Sequence, residues 1–171
     1  MLGGTGMIVS FDLDDTLFVD EGKFKTEQPP RFPHGLIYKE RLRMGTVELM
    51  KWIREQQIGL WIYTTSYRSE GYIRGLFRGY GVRLDQVVNG KRHADEVQGS
   101  RREAMPSKYP CKYKIDLHVD DDISVAQNGR ILGFRVLLVA GPEEGWAERV
   151  REEIKRIRAL KEGKSNVRQT G

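Results

Sequence analysis

Two carboxylates spaced i and i+2, Asp12 and Asp14, follow directly on the apolar run Met7-Ile8-Val9-Ser10-Phe11. Val, Ile and Phe in a short run bounded by Gly read as a buried strand, so the pair stands where that strand breaks into a loop. Side chains at i and i+2 of a strand point the same way. Two anions in one small space repel unless a cation joins them or one carboxyl keeps its proton, and either solution makes a chemical site. The competing reading is a solvated, Asp-rich turn that merely ends a strand. Asp12, Asp14, Asp15 and Thr16, set directly against a buried strand, are poor turn chemistry. Residues able to join such a site end two later apolar runs. Thr64 and Thr65 follow Leu60-Trp61-Ile62-Tyr63, and Asp120, Asp121 and Asp122 follow Ile115-Asp116-Leu117-His118-Val119.

The elements that must position these residues alternate strand with helix. After the first strand, residues 17–45 are rich in Pro, Gly and charge and read as a long loop with a small hairpin around Glu21-Gly22. A helix starts at Thr46, whose side chain can cap it, and carries Val47, Leu49, Met50, Trp52 and Ile53 as an apolar stripe. Leu60–Tyr63 is the second strand, and a helix from about Ser69 to Tyr80 follows, weakened by glycines at 71, 75 and 79. Gln86–Val88 is a short third strand. Residues 90–110 read as a polar loop with one helical turn near Arg101 to Ala104. Ile115–Val119 and Phe134–Val139 are the fourth and fifth strands, and a last amphipathic helix from about Pro142 turns Trp146, Val150, Ile154, Ile157 and Leu160 inward. This order implies an α/β, three-layer, Rossmann-like fold: a mostly parallel five-stranded sheet with helices on both faces. One domain over residues 1–163 is expected, with 164–171 a disordered tail. Loops at the carboxyl ends of such strands share one crevice, so Asp12, Asp14, Thr64, Thr65 and Asp120 to Asp122 converge by topology alone.

Composition sets the remaining bounds. The 171 residues carry a net charge of +5, concentrated in two places, one of them residues 68–114 with eleven basic and five acidic side chains. Residues 149–168 hold eight basic and three acidic side chains, which reads as a solvated helix face or as an attraction for an anionic partner. No nucleic-acid motif or basic stripe interleaved with aromatics accompanies them. Cys111 is the only cysteine, which excludes an internal disulfide and a cysteine-built zinc site. No signal-peptide pattern and no apolar run of membrane-spanning length occurs, so a soluble, cytoplasmic protein is expected.

Read together, these segments resemble the haloacid dehalogenase-like (HAD) hydrolases, most of which are magnesium-dependent phosphatases. Phe11-Asp12-Leu13-Asp14-Asp15-Thr16-Leu17 matches the family's first motif, an apolar strand followed by Asp-x-Asp-x-Thr. Leu60-Trp61-Ile62-Tyr63-Thr64 matches the second, with Thr65 an adjacent alternative, and Leu117-His118-Val119-Asp120-Asp121 matches the fourth. The third is a lone basic residue upstream of the fourth; Lys108, before Tyr109-Pro110, is chosen over Lys112 and Lys114.

The resemblance implies Asp12 as nucleophile forming an aspartyl phosphate and Asp14 as general acid and base. It implies Mg²⁺ held by Asp12, the backbone carbonyl of Asp14, and Asp120, with Asp121 reaching metal-bound water and Asp122 capping a helix. Thr64 would donate to a phosphoryl oxygen, and Lys108 would add positive charge beside the nucleophile. Asp15 is assigned to a cap, His118 to core packing, Trp61 and Tyr63 to the core, and His34 and His93 to loops without a partner. The intervals 17–45 and 66–107 leave no room for a cap domain, which implies an open site. By the same resemblance, open members act on bulky anionic substrates such as phosphoproteins, nucleic-acid ends or lipid-linked groups, or borrow a lid from another subunit. The rival reading is a catalytically silent scaffold that binds phosphate or metal; a receiver-like module is disfavoured because the second strand ends in Tyr63-Thr64-Thr65 with no Asp.

Overall fold

The computed structural model describes residues 6–169, with side chains through residue 163. Its centre is a five-stranded sheet of β1 (Ile8–Phe11), β2 (Gly59–Tyr63), β3 (Gln86–Val88), β4 (Leu117–Asp120) and β5 (Val136–Leu138) in the order β3-β2-β1-β4-β5. Every pairing is parallel, and β1 lies between β2 and β4 with Phe11 opposite Ile62 and Val119. The sheet is therefore wholly parallel. The strand order reverses between the β1–β2–β3 half and the β4–β5 half, and the crevice opens at the carboxyl ends where that reversal occurs.

Each strand presents alternate residues to opposite faces. Val9, Phe11, Leu60, Ile62, Leu117 and Val119 enter the main core. They meet Leu49, Met50 and Ile53 of α2 (Thr46–Glu55), Ile73, Leu76 and Phe77 of α3 (Glu70–Gly79), and Trp146, Val150, Ile154 and Ile157 of α6 (Trp146–Gln169). The opposite face carries a smaller cluster of Tyr63, Val88 and Ile115, with Trp61 and Tyr113 against it. There α4 (Gly90–His93) and α5 (Ile123–Leu132) complete the third layer, α5 as the crossover between the parallel strands β4 and β5.

Residues 17–45 fold back on themselves as a flap rather than a loose loop. Its two arms are joined by bridges between Phe18 and Leu42 and between Thr26 and Arg43, and a short helix, α1 (His34–Ile37), sits near its tip. Arg43 is buried and donates to the carbonyls of Val139, Gly141 and Glu143 at 3.2, 2.8 and 3.0 Å while lying over the rings of Trp146 and Phe24. These bonds occupy the chain after β5, and α6 begins at Trp146 rather than at Pro142. The helix then runs beyond Gly163 to Gln169; of the expected tail, residues 170–171 lie outside the described residues.

Three local expectations shift for identifiable reasons. The cap of α2 comes from Glu27 in the flap, whose Oε1 accepts from the amides of Gly45 and Val47 at 3.0 and 3.1 Å; Thr46 instead donates to the Arg43 carbonyl at 2.6 Å. Helical structure in the 90–110 stretch lies at its start, in α4 and a π-helical turn over Ala94–Gln98, not at Arg101 to Ala104. Asn89 caps it by accepting from the Arg92 amide at 2.9 Å, and the ion pairs Lys91–Asp95 and Arg92–Glu96 span successive turns. Finally, two of the α3 glycines are landing places. A Cβ on Gly75 would overlap the Tyr38 hydroxyl, and one on Gly79 would crowd the His34 side chain at 3.0 to 3.1 Å.

Candidate active site

Asp12 is the first residue beyond β1, fixed there by its amide donating to the Val119 carbonyl at 2.9 Å. Asp120 is the last residue of the neighbouring β4. Parallel pairing of these strands brings the two carboxylates together, and Asp121 joins them: one oxygen from each of the three lies within 4.8 Å of the others. Thr16 in the turn after β1 donates to Asp121 Oδ1 at 2.9 Å. That turn closes through amides of Leu17 and Phe18 on the Leu13 carbonyl, with Asp15 at φ +60, a conformation Asp tolerates better than most side chains.

Lys108 is 3 % exposed and enters the cluster from the loop before β4. Its Nζ lies 3.0 Å from Asp12 Oδ1 and 2.7 Å from Asp120 Oδ2. Asp12 Oδ1 is buried and has the Lys108 ammonium as its ion-pair partner. Burial pushes the Asp12 carboxyl up from 3.8 to about 6, with Lys108 opposing the rise and Asp120 adding to it. Burial also raises the Asp121 carboxyl, again with Asp120 contributing. For Asp120 burial acts upward too, but bonds from His118 and Lys108 and the lysine charge outweigh it and hold the group well below the usual range. Lys108 is held up in the same way, its own burial outweighed by Asp12 and Asp120.

These properties fit a hard divalent cation. Three carboxylates against one ammonium leave an excess of two negative charges in a buried space, more than Lys108 alone offsets. All the donors are oxygen, the ligand type Mg²⁺ takes.

A line of polar residues supports Asp120 from below. His118 Nε2 lies 2.8 Å from Asp120 Oδ2, and its Nδ1 lies 2.7 Å from Ser10 Oγ; Ser10 and His118 are register partners on β1 and β4. Burial lowers the His118 pKa, so a neutral ring donates to the ionised Asp120 from Nε2 and accepts the Ser10 proton at Nδ1. The fully buried ring is core, as its strand position suggests, and it also restrains a carboxylate. Ser10, Asp12, His118 and Asp120 all lie on one face of neighbouring strands, a pattern legible as i, i+2 polar pairs in both motifs.

Tyr63 does comparable work for Lys108. Its hydroxyl accepts the amide of Tyr109 at 2.9 Å and so gives its own proton to His93 Nδ1 at 2.6 Å. Burial, with Lys108 nearby, keeps His93 below its ordinary pKa and ready to accept. His93 thus has a partner.

The remaining expected residues stand around this centre. Thr64 is buried at the end of β2, its Oγ1 accepting from the Ser66 amide at 3.1 Å, whereas Thr65 is exposed. Asp122 caps α5, accepting from the Ser124 amide at 2.7 Å. The Asp14 carboxylate stands apart from the three-acid cluster: both its oxygens lie 2.9 Å from Arg68 Nη1. Arg68 also reaches Glu40 in the flap, at 3.1 Å. Neither Arg68 nor Glu40 carries a local sequence signal for this role.

Comparison with known proteins begins from two negatives: no family profile and no curated protein matches the chain. Among solved structures, the HAD domain of effector protein Lem4 from Legionella pneumophila aligns over 91% of this chain and 96% of that one, at 14% identity and a TM-score of 0.53. Two structures of the Pnkp1/Rnl/Hen1 complex, one named an RNA repair complex, align over 80% of this chain with TM-scores of 0.48 and 0.49 at 15% and 16% identity. The chain spans less than half the length of those two, 47% and 43%. The all-parallel sheet and the likeness to the Lem4 domain over nine-tenths of the chain give it a haloacid dehalogenase-like fold.

Proposed function

We propose that the chain is a Mg²⁺-dependent phosphomonoester hydrolase working through an aspartyl phosphate on Asp12. The observation that carries this reading is the gathering of three carboxylates, Asp12, Asp120 and Asp121, around a single buried ammonium, Lys108, which lies 3.0 Å from Asp12 Oδ1. Asp12, Asp120 and Asp121, with the Asp14 carbonyl, would hold Mg²⁺, which would cancel repulsion between the carboxylates and a phosphoryl group.

The chain's own residues account for the remaining chemistry. An Asp12 oxygen attacks phosphorus, the ester P–O bond breaks, and Asp14 gives its proton to the leaving oxygen. Water then attacks the same phosphorus, Asp14 takes its proton, the Asp12–phosphorus bond breaks and inorganic phosphate leaves. Thr64 donates to a phosphoryl oxygen, with Thr65 the exposed neighbour at the rim, and Lys108 holds Asp12 and Asp120 ionised beside the transferring group.

The flap over residues 17–45 packs into the main core through Leu17, Phe18 and Leu42 and forms no separate cap. This supports an open site and a bulky anionic substrate. No described helix is long and apolar enough to cross a membrane. A second reading, a silent module that binds phosphate or metal, is favoured by one observation, the Asp14 carboxylate standing outside the three-acid cluster.

Hydrolysis of a chromogenic aryl phosphate separates the two. The hydrolase reading expects turnover that a chelator abolishes and Mg²⁺ restores, and that Asp12→Asn removes. Equal turnover in Asp12→Asn and the parent protein rules the assignment out. Rates on a phosphopeptide, a 3′-phosphorylated oligonucleotide and sugar phosphates then define the substrate class; a strong preference for the sugars ends the bulky-substrate idea.

A further inference from the structure

Asp14 is oriented from outside its own turn. Arg68, five residues beyond β2, places Nη1 2.9 Å from each Asp14 oxygen and 2.8 Å from Ser66 Oγ. Its Nε donates to Glu40 Oε1 at 3.1 Å, and Glu40 Oε2 accepts from the Tyr72 hydroxyl of α3 at 2.6 Å. The guanidinium carbon lies 5.3 Å from the Phe18 ring centroid, and the Arg68 carbonyl accepts from Asn89 Nδ2 at 3.0 Å. Arg68 is therefore held by the flap and by the loop after β3, and through Glu40 it is linked to α3.

An exposed ion pair adds little stability by itself. Geometry is the significant consequence here. Asp14 is two residues from Asp12, yet its carboxylate is outside the cluster that Asp12 forms with Asp120 and Asp121, and Arg68 determines where it stands. Glu40 in turn determines where Arg68 stands, and Glu40 belongs to the flap, whose seat on α3 depends on Tyr38 lying against Gly75 and over Tyr72.

We propose that Arg68, anchored by Glu40 of the flap, is a positioning residue for Asp14, setting how well that carboxyl reaches the oxygen of a departing alcohol. The proposal rests on the hydrolase reading above. Its signature follows from the chemistry of proton donation, which matters most when the departing group is a poor anion and least when it leaves readily as one. A residue with only a structural role would lower every rate alike.

The test is kcat on p-nitrophenyl phosphate, phenyl phosphate and an alkyl phosphate, with Mg²⁺, for the parent chain, Arg68→Met, Arg68→Lys and Glu40→Gln. In Arg68→Met the fold-loss is expected to grow by about tenfold or more from the nitrophenyl to the alkyl ester, within the ~10²- to 10⁴-fold that proton transfer contributes to such reactions. Arg68→Lys, which keeps the charge without the fork, is expected to fall between. Glu40→Gln, which can still accept from Tyr72, is expected to move the same way by less, and it carries the test if Arg68→Met does not fold. A loss that is not larger for the poorer leaving group overturns the proposal alone. A parent protein that hydrolyses none of the three esters overturns the hydrolase reading and the proposal with it.

Discussion

Replacing Asp12 by Asn should remove turnover and, in the absence of metal, make the protein more stable. The Asp12 carboxyl is pushed from 3.8 to about 6 by burial, with Asp120 adding to the rise against the opposing Lys108 charge. A native pKa above the unfolded one means that the folded state holds the proton more tightly. Asp12 therefore contributes stability below about pH 4, and that contribution is lost as pH rises through 6. Above pH 6 the parent chain carries an ionised group in a place that favours the neutral form, at a cost of about 3 kcal/mol for a shift of roughly two units. Asn has nearly the shape of the protonated acid and never ionises. In chelator at pH 7.5 the Asn variant should melt above the parent by roughly 6 to 12 °C, taking about 2 to 4 °C per kcal/mol for a chain of this size. The gap should close toward pH 4. Saturating Mg²⁺ should narrow or reverse it, since binding at a hundred times the dissociation constant adds about 2.7 kcal/mol to whichever form binds. The assay is a pair of thermal melts across pH, with and without metal. An Asn variant that melts below the parent in chelator at pH 7.5 refutes the argument, because the carboxylate would then be a net stabiliser of the metal-free fold.

Two further substitutions probe the surroundings. His118→Leu takes one donor from the buried Asp120 and strands Ser10; a loss of about 2 to 3 kcal/mol in urea denaturation is expected, with a weaker apparent affinity for Mg²⁺. His118→Gln should recover part of both, and a Leu variant matching the parent in both measurements would show that the ring only fills space. Gly75→Ala should destabilise although Ala favours helix by about 1 kcal/mol, because its Cβ meets the Tyr38 ring. Gly71→Ala on the same helix meets nothing within 4 Å and should be neutral or slightly stabilising in the same melts.

The sequence discloses the parts of this molecule whose cause is local and conceals those whose cause is not. Strand ends are local: an apolar run that stops at carboxylates places Asp12 and Asp120, and parallel topology does the rest. Lys108 has a weaker mark, a lysine before Tyr109-Pro110, chosen against two neighbours, and the structure sets it between Asp12 and Asp120. Arg68 has none. Its partners Asp14 and Glu40 are 54 and 28 positions away in the chain, and no periodicity announces such a pairing. Burial hides function in another way. Tyr63 and His118 read as core and are core, yet each has a polar atom that holds a site residue or its neighbour in place. The glycines of α3 look like helix defects until the flap is seen resting on them, because a close approach from a distant segment is invisible in the helix's own composition.

The face shared by Ser10, Asp12, His118 and Asp120 ties the chemistry to the alignment of the central strands. Were β4 to slide one position along β1, Val119 would stand where Asp120 now does, and His118 and Asp120 would be driven among Val9, Phe11 and the Leu49 and Met50 side chains of α2. Misalignment would thus strip the pocket of its charge and drown polar atoms in hydrocarbon at a single stroke. A chain that reaches a tightly packed interior has, by that fact, already brought its acidic cluster together.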